Sequence, residues 1–289
     1  MHVSRGLLSC VITVLLAINL FVWQAVLARN THDLRVSFLD IGQGDAILVQ
    51  GPTGVQMLVD GGPDRSVLRQ LPHAMGILDR SIDMIVETHP DRDHIGGLAG
   101  VFERYAVSYF MSPGIPNDTS STLSLDDAVA GESGIHRFIA RRGMRIHLGG
   151  GAYADVLYPD HDVSKLETNA GSVTMHIVYG KTSFMLSGDL PSEQEDYLVR
   201  LDAADGNLAS DVLKAGHHGS KYSTDAAWLA AVHPSFVAIS AGEGNSYGHP
   251  NPETVSRIQD EGARIFSTIN SGTIDFFSDG AGIRVKTER

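Results

Sequence analysis

The segment Met84-Ile-Val-Glu-Thr-His-Pro-Asp-Arg-Asp-His-Ile-Gly-Gly97 decides how the rest of the chain is interpreted. It begins as an apolar run typical of a buried strand and ends in two glycines. Between these ends are four potential metal ligands within six residues: His89, Asp91, Asp93 and His94. In an extended segment every second side chain points to the same side, so the first three ligands can start on one side. A turn at Asp93–His94 would then aim these two side chains at a neighbouring point. Imidazole and carboxylate ligands together suit Zn, Mn or Fe, so the segment predicts a metal site.

The alternative interpretation of this segment is a polar loop between a strand and a helix, with an aspartate as the helix N-cap. That alternative suffices for any one of the four residues taken alone. We favour the metal site because all four occur together.

The composition of the chain is that of an ordinary globular protein. Of its 289 residues, 43% are hydrophobic and 19% are charged, and this length accommodates one layered α/β domain. The formal net charge of −12 opposes nonspecific binding to polyphosphates, although bound divalent ions would reverse the charge locally. The single cysteine, Cys10, lies in the N-terminal apolar segment, so the remainder of the sequence has no disulfide and no cysteine metal ligand.

The N-terminus predicts export. Arg5 precedes the apolar run Gly6–Leu27, so residues 1–29 are interpreted as a signal peptide or a membrane anchor. Val26-Leu27-Ala28 resembles a cleavage site, but the length of the run suits an anchor equally well. Either alternative places residues 30–289 outside the cytoplasm. The domain would be extracellular, periplasmic or anchored on the outer side of the cytoplasmic membrane. A buried core helix is the third interpretation of the run.

After residue 33, predicted strands and helices alternate, which indicates an α/β sandwich. The predicted strand Ile82–Val86 leads directly into the opening segment. The middle of the chain is less regular. Ser112–Asp126 is rich in Ser, Thr, Pro, Asn and Gly and predicts a surface loop, and Asp127–Arg142 predicts a helix that Gly131 and Gly134 weaken.

The opening segment supplies ligands for two ions. His89 pairs with Asp91 for the first ion, and Asp93 pairs with His94 for the second. A dinuclear centre also needs a bridging carboxylate, and it keeps open positions for water if it is catalytic.

Polar residues after later strands provide the remaining ligands. Asp189, on a Gly-Asp turn, is the natural bridge between the ions, and one of His217 and His218 completes the second set. Such loops at strand ends are where layered α/β folds build their sites.

The order of these motifs resembles the metallo-β-lactamase fold superfamily. The motifs are Leu58-Val-Asp-Gly-Gly62, Thr-His89-Pro-Asp-Arg-Asp-His94, Gly188-Asp189 and Gly-His217-His218-Gly. The resemblance covers about residues 34–286 and implies a four-layer αββα sandwich, an α/β fold, as a hydrolase domain over residues 30–289. It also implies two divalent ions, Zn or Mn.

Finer motifs resemble one branch of that superfamily, the extracytoplasmic domain of ComEC-type DNA-uptake (competence) proteins and their stand-alone relatives. These motifs are Phe38-Leu-Asp-Ile-Gly-Gln-Gly-Asp45, the His-x-Asp-x-Asp-His form of the cluster, Gly-His-His-Gly-Ser-Lys221 and Tyr-Gly-His-Pro250. The branch shares Asp91, where most superfamily members have histidine. A carboxylate there shifts the preference from Zn towards Mn or Mg.

Asn169 marks a second departure, because most members complete the first ion's ligands with a histidine at that point of the chain. We therefore expect the first ion to be weakly held or completed by water. Of the two adjacent histidines we favour His218 as the metal ligand and His217 as a contact to the phosphate or the leaving group. His249 is expected at the rim of the site, where it would donate a proton or bind substrate.

The remaining candidates surround the metals. Asp60 is interpreted as orienting a ligand histidine, with a plain turn residue as the alternative. The resemblance places Asp40 and Asp45 near the site, although turn chemistry also accounts for them. Ser220 and Lys221 are candidates for holding an anionic group of the substrate, with a solvated surface lysine as the alternative for the latter. The catalytic set is His217, His249 and Asp93.

These features predict metal-dependent hydrolysis of an anionic phosphodiester outside the cytoplasm, with the ions activating water and polarising the phosphoryl group. The resemblance suggests DNA as the substrate and nuclease or phosphodiesterase activity. One alternative is an exported hydrolase of a cell-envelope phosphodiester or a β-lactam. Another is a non-catalytic module that binds DNA or a partner. The N-terminal segment would contact the membrane if uncleaved, and no protein partner is inferred.

Overall fold

A computed structural model describes residues 5–29, 32–203, 206 and 208–289, and within them two β-sheets lie face to face. The strands of the described residues are β1 (Leu34–Phe38), β2 (Ile47–Gln50), β3 (Gln56–Val59), β4 (Ser81–Val86), β5 (Ala106–Ser112), β6 (His136–Ile139), β7 (Arg145–Gly149), β8 (Ala152–Tyr158), β9 (Thr174–Tyr179), β10 (Thr182–Leu186), β11 (Val212–Lys214), β12 (Phe236–Ile239), β13 (Arg264–Ser267), β14 (Ile274–Ser278) and β15 (Ile283–Thr287).

The first sheet has the strand order β15-β14-β1-β2-β3-β4-β5-β6, and the second has the order β13-β12-β11-β10-β9-β8-β7. The helices of the described residues are α1 (Arg5–Arg29), α2 (Val67–Met75), α3 (Arg92–Ile95), α4 (Leu98–Phe102), α5 (Ser120–Gly131), α6 (Ser192–Asp202), α7 (Ala226–Val232), α8 (Pro252–Asp260) and α9 (Thr268–Ser271). Short 3-10 turns cover Asn169–Gly171 and Gly216–Gly219.

Three apolar layers hold the sandwich together. Between the sheets, Phe276 of β14 packs edge-on against Phe38 of β1 and against Phe184 of the opposite sheet. Helices α2, α4 and α5 bury apolar side chains on the outer face of the first sheet, and α6, α7 and α8 do so on the outer face of the second. This arrangement confirms the predicted αββα sandwich.

In both sheets, loops at the carboxyl ends of parallel strands carry polar site residues. β3, β4 and β5 run parallel to one another in the first sheet, and β10, β11 and β12 do so in the second. The loops after β3, β4, β10, β11 and β12 carry most of the predicted site residues, as expected for the carboxyl ends of parallel strands, whereas Asp40 and Asp45 lie between β1 and β2 and Asn169 follows β8.

The middle of the chain differs from the prediction. Helix α5 begins at Ser120 inside the predicted loop, because the side chain of Thr119 accepts a hydrogen bond from the backbone N–H of Thr122 and caps the helix. The predicted helix Asp127–Arg142 ends at Gly131, and residues from His136 onwards pair with β5 as β6. The two glycines therefore mark a helix end followed by a strand.

The N-terminal run forms helix α1, which has 25 residues. Over the residues that the structure describes, no helix meets both the length and the apolarity required to cross a membrane. Residues 1–4 and 30–31 of the predicted signal or anchor and its junction lie outside the described residues.

Candidate metal centre

Loops from both sheets bring the predicted ligands to one point. His89 and His94 come from the segment after β4, whereas Asp189 follows β10 and His218 follows β11. All four side chains are buried. The rings of His89 and His94 lie 4.0 Å apart, and those of His94 and His218 lie 5.3 Å apart. The opening segment and the later loops thus form a single site.

Hydrogen bonds from behind fix the orientation of His89 and His94. The hydroxyl of Thr88 donates its hydrogen to Oδ2 of Asp60 at 2.7 Å, so its contact with Nδ1 of His89 at 2.9 Å requires that nitrogen to donate. Nδ1 of His94 lies 2.8 Å from Oδ2 of Asp60. Both imidazoles therefore direct Nε2 into the site, the usual arrangement for a metal-binding histidine.

His218 is held in the same way. Its Nδ1 lies 3.0 Å from the carbonyl oxygen of Ser240 and donates to it. Its Nε2 then faces two carboxylates, with Oδ2 of Asp93 at 3.2 Å and Oδ2 of Asp189 at 3.3 Å. The same oxygen of Asp189 lies 3.3 Å from Nε2 of His94. Nitrogen and oxygen ligand atoms thus converge on one point.

The charges of the site favour a cation at this point. Burial acts to raise the pKa of Asp189, but His218, His94 and Lys214 together hold it well below its ordinary value. Burial and the neighbouring His94 hold the pKa of His89 well below its ordinary value, so this imidazole is neutral. Burial acts to raise the pKa of Asp93 as well, but the hydrogen bond with His218 keeps it below its usual range. Neutral imidazoles and ionised carboxylates are the ligand forms that metals require.

His94 and His218 hold protons more firmly than His89 does. Burial acts to lower the pKa of His94, but Asp189 and Asp60, at its two ring nitrogens, raise it well above its ordinary value. Burial opposes the shift in His218 too, and Asp189 is again the main group that raises its pKa. A metal ion at these Nε2 atoms would replace protons, because the same carboxylates attract either cation.

Unsatisfied buried atoms provide the test of whether these residues fit a metal. Nε2 of His89 and Nε2 of His94 are both buried and make no hydrogen bond. Buried polar atoms are normally paired, and a bound metal ion accounts for some of the exceptions. One ligand atom from each of Asp45, His94, Asp189 and His218 lies within 4.8 Å of the others. The donor set fits a divalent metal ion.

Lys214, at the end of β11, is a buried cation behind this site. Its Nζ lies 2.7 Å from Oδ2 of Asp45 and 3.3 Å from Oδ1 of Asp189, and it donates to the carbonyl oxygen of Gly188. The lysine therefore faces one oxygen of Asp189, while the other faces the histidines. Asp45 reaches Lys214 because Gly44 approaches Asp93 closely: a Cβ at Gly44 would lie 2.1 Å from the Asp93 carbonyl oxygen.

His217 and His249 form the open side of the site. The side chain of His217 is about one third exposed, and its Nε2 lies 3.9 Å from Oδ2 of Asp189. Its ring lies 5.4 Å from that of His249. His217 and His218 both have positive φ angles, 48° and 55°, so the turn directs two adjacent histidines into the site at the cost of local strain.

Asp91 and Asn169 lie on the first-ion side. Oδ2 of Asp91 is 3.8 Å from Nε2 of His89. Asn169 begins the turn that follows Thr168, and its Oδ1 is buried without a hydrogen-bond partner. The predicted first set of ligands is thus grouped, but it is more open than the second.

Three predicted residues make other contacts. The carboxylate of Asp40 pairs with Arg289 near the C-terminus. Oγ of Ser220 accepts from the backbone N–H of Tyr222, and Nζ of Lys221 lies 5.0 Å from the ring of the same tyrosine. The structure does not bring these three side chains into the cluster.

Sequence reasoning missed three residues that touch the ligands: Thr88, Ser172 and Lys214. Ser172 lies behind His89, with Oγ 3.4 Å from Nδ1, and also accepts from the backbone N–H of Asp189. Two of these residues could have been found from their position in the sequence. Thr88 immediately precedes His89, and Lys214 immediately precedes the Ala-Gly-His-His run.

Comparisons with known proteins confirm the predicted resemblance. The model of the metallo-beta-lactamase superfamily matches residues 39–242. ComE operon protein 3 of Bacillus subtilis is 29% identical over 259 residues, which cover 83% of this chain and 32% of that protein. Competence protein ComA of Neisseria gonorrhoeae is 27% identical over 262 residues, which cover 89% of this chain and 34% of that protein. The chain thus spans about a third of the length of these relatives.

The fold also matches solved structures. The metallo-beta-lactamase fold protein YhfI of Bacillus subtilis superposes with a TM-score of 0.53 at 11% identity, covering 83% of this chain and 98% of that one. At this identity the match concerns the fold alone.

Proposed function

The chain belongs to the metallo-beta-lactamase superfamily, and on that premise we propose that it is a metal-dependent phosphodiesterase that cleaves DNA outside the cytoplasm. The observation that carries the proposal is the pair of buried Nε2 atoms of His89 and His94, which make no hydrogen bond, with Oδ2 of Asp189 lying 3.3 Å from that of His94. Two divalent ions, Zn or Mn, are the proposed cofactors.

The residues divide between two ion positions. His94, Asp93 and His218 would hold the second ion, and His89 with Asp91 the first, with Asp189 between them. When bound, divalent ions polarise the phosphoryl group and lower the pKa of water enough for attack near neutral pH. The first position has fewer buried ligands and is proposed to be the weaker one.

The half-buried histidines are placed to act on the substrate. Burial lowers the pKa of both His217 and His249, although Asp189 acts to raise that of His217, so both imidazoles are neutral near pH 7. A neutral imidazole can donate a hydrogen bond to a phosphoryl oxygen or hold a proton for the leaving oxygen. We assign these roles to His217 and His249.

DNA is the proposed substrate because the matched relatives include a competence protein and a ComE operon protein, in line with the resemblance to DNA-uptake proteins. The net charge of −12 works against DNA binding, and divalent ions at the metal centre would reverse the charge locally. The apolar run Gly6–Leu27 supports export, as a signal peptide or a membrane anchor.

The proposal is tested by offering three substrates to purified protein loaded with Mn²⁺ or Zn²⁺: single-stranded DNA, a chromogenic phosphodiester and a chromogenic β-lactam. We expect cleavage of the first two. Cleavage of the β-lactam alone, or of the chromogenic phosphodiester without DNA, would assign the site to another hydrolase of this fold.

Variants distinguish an enzyme from a binding module. His89→Ala and Asp189→Ala are expected to abolish cleavage, and elemental analysis is expected to find less metal in both. Two results together would instead indicate a non-catalytic module. The purified protein would contain no metal, and the His89→Ala variant would bind DNA as well as the wild-type protein does.

A further inference from the structure

An exposed aromatic ring stands beside the metal centre, and the proposed mechanism does not use it. The side chain of Tyr247 is 70% exposed, although tyrosine usually buries much of its ring. It lies in the loop after β12 and stacks on His249, with ring centroids 5.8 Å apart and planes inclined by 24°. The ring of His249 in turn lies 5.4 Å from that of His217. The three rings form a continuous path from the site to solvent.

Hydrogen bonds hold this loop in a fixed shape. Oδ1 of Asn245 accepts from the backbone N–H groups of Tyr247 and His249, at 3.1 and 3.0 Å. Nδ2 of the same asparagine donates to the carbonyl oxygens of Gly242 and His249. One side chain therefore satisfies four backbone groups and fixes the backbone on both sides of Tyr247.

A further hydrogen bond joins this loop to a loop of the first sheet. Oε1 of Gln43 accepts from the backbone N–H of Gly242 at 3.0 Å. A Cβ at Gly242 would lie 2.6 Å from the backbone nitrogen of Gln43, so the two loops are in close contact. The exposed ring thus stands on a pre-organised support rather than on a free loop.

We propose that Tyr247 is a stacking platform for an unpaired nucleobase next to the scissile phosphodiester, which makes the site specific for single-stranded nucleic acid. This inference rests on the proposed phosphodiesterase function. One face of the tyrosine ring is covered by His249, so the stack can be extended by a further planar ring. Base stacking on an aromatic side chain is the common device of single-strand binding and tolerates any base.

The geometry favours a nucleobase over other groups of a phosphodiester substrate. A quaternary ammonium group is recognised by an aromatic cage, whereas a single stacked ring offers a flat surface. A base in the interior of a duplex is already covered on both faces by its neighbours, so within a strand only an unpaired base can stack on the ring. An acidic protein also gains more from stacking than from backbone charge contacts.

The test compares two chromogenic substrates that share a leaving group, thymidine 5′-(p-nitrophenyl phosphate) and methyl p-nitrophenyl phosphate, with protein loaded with Mn²⁺. The readout is the ratio of their kcat/KM values, which cancels any general effect on the metal centre. We expect Tyr247→Ala to lower this ratio about tenfold. Tyr247→Phe keeps the ring and is expected to restore the ratio.

The matched control is Tyr109→Ala. Tyr109 is also exposed and stacks on a histidine in nearly the same geometry, at 5.4 Å and 25°, but that histidine is His136 at the edge of the first sheet. The ratio is expected to stay at the wild-type value in this variant. An unchanged ratio in Tyr247→Ala, or an equal fall in Tyr109→Ala, overturns the proposal.

Two further outcomes separate this inference from the proposed function. If the wild-type protein hydrolyses neither substrate, the proposed function fails. The platform is then judged by the binding of fluorescein-labelled oligothymidylate and of an abasic strand of equal length. About tenfold weaker binding of oligothymidylate by Tyr247→Ala, with a smaller change for the abasic strand, supports the platform, and equal changes overturn it.

If Tyr247→Ala impairs hydrolysis of p-nitrophenylphosphorylcholine most, the ring recognises a quaternary ammonium group and the assignment to a base is wrong.

Discussion

Asp60 and Thr88 give the histidines of this site their orientation. One carboxylate accepts from Nδ1 of His94 and from the hydroxyl of Thr88, and that hydroxyl accepts from Nδ1 of His89. A single aspartate therefore orients two imidazoles, one directly and one through a hydroxyl. In both rings the nitrogen that faces the site is left available to a metal ion.

The variant Asp60→Asn is expected to weaken metal binding about 10- to 100-fold, because groups that orient ligand histidines typically have effects of this size. Competition with a chromogenic Zn²⁺ chelator measures the affinity. The exposed residue Asp127 on α5 provides the control variant Asp127→Asn, which removes the same charge at a position outside the ligand set. Equal affinities of Asp60→Asn and the control would contradict this role.

Lys214 is expected to be required for stability as well as for geometry. Lys214→Met would leave the buried carboxylates of Asp45 and Asp189 without their cation, which should reduce the free energy of unfolding by about 3–5 kcal/mol. Urea unfolding of the metal-free protein measures the loss, and Lys181→Met, at an exposed lysine, is the control.

A double variant tests the pairing itself. Adding Asp45→Asn to Lys214→Met removes one of the stranded charges, so the two effects should not add. A double variant as destabilised as the sum of the single variants would show that Lys214 and Asp45 do not act as a pair.

Some residues of the site were predictable from the sequence, and others were not. The grouped ligands were predictable because a turn alone seldom requires two histidines and two aspartates within six residues. Lys214 was not predictable, because a lysine at a strand end is ordinarily solvated, whereas this one is buried against Asp189 and against Asp45 from the other sheet. The contact depends on tertiary structure that no local pattern encodes.

At the level of elements, strand ends determine which loops meet. The alternation of predicted strands and helices was sufficient to predict the sandwich, since parallel strands place their following loops at one edge. The pattern failed for α5 and β6. His136–Ile139 is exposed along its length, so no apolar periodicity marked it as a strand.

Helix α6 supports the histidine turn through a buried acid. Oε1 of Glu195 accepts from the backbone N–H of Thr224, and Oε2 from that of Asp225, which caps α7. Burial raises the pKa of Glu195 from 4.5 to about 8. The backbone N–H of Gly216, in the turn with His217 and His218, donates to the hydroxyl of Thr224, so the acid, the cap and the turn are connected.

This raised pKa predicts a pH dependence of stability. Between pH 4.5 and about 8 the folded state holds a proton on Glu195 that the unfolded state has lost, so the free energy of unfolding falls as the pH rises. The slope from one group is at most about 1.4 kcal/mol per pH unit. Glu195→Gln should make this dependence less steep in urea unfolding series from pH 5 to 9. A slope as steep in Glu195→Gln as in the wild-type protein would assign the effect to other groups.

At the level of the whole molecule, the site joins the two sheets. His89 and His94 are carried by loops of the first sheet, and Asp189 and His218 by loops of the second. A metal ion held between them would therefore cross-link the two halves of the sandwich. This placement predicts that metal binding stabilises the entire fold rather than one loop.

Metal at about 100 times its dissociation constant should raise the free energy of unfolding by about 2.7 kcal/mol. Chemical unfolding with Zn²⁺ or with a chelator measures the difference. Asp189→Ala is expected to lose most of this gain. An equal gain in that variant would indicate that the metal binds elsewhere.

The hydrolytic metal centre is tested most directly by cleavage of end-labelled single-stranded DNA with protein that has been stripped with a chelator and then titrated with Mn²⁺ or Zn²⁺. We predict no cleavage in the chelator, recovery as either ion is added, and no recovery in Asp189→Ala at the same metal concentrations. Cleavage that persists in the chelator or in Asp189→Ala, or its absence with every ion, would contradict the claim that the buried histidine and aspartate cluster is a hydrolytic metal centre.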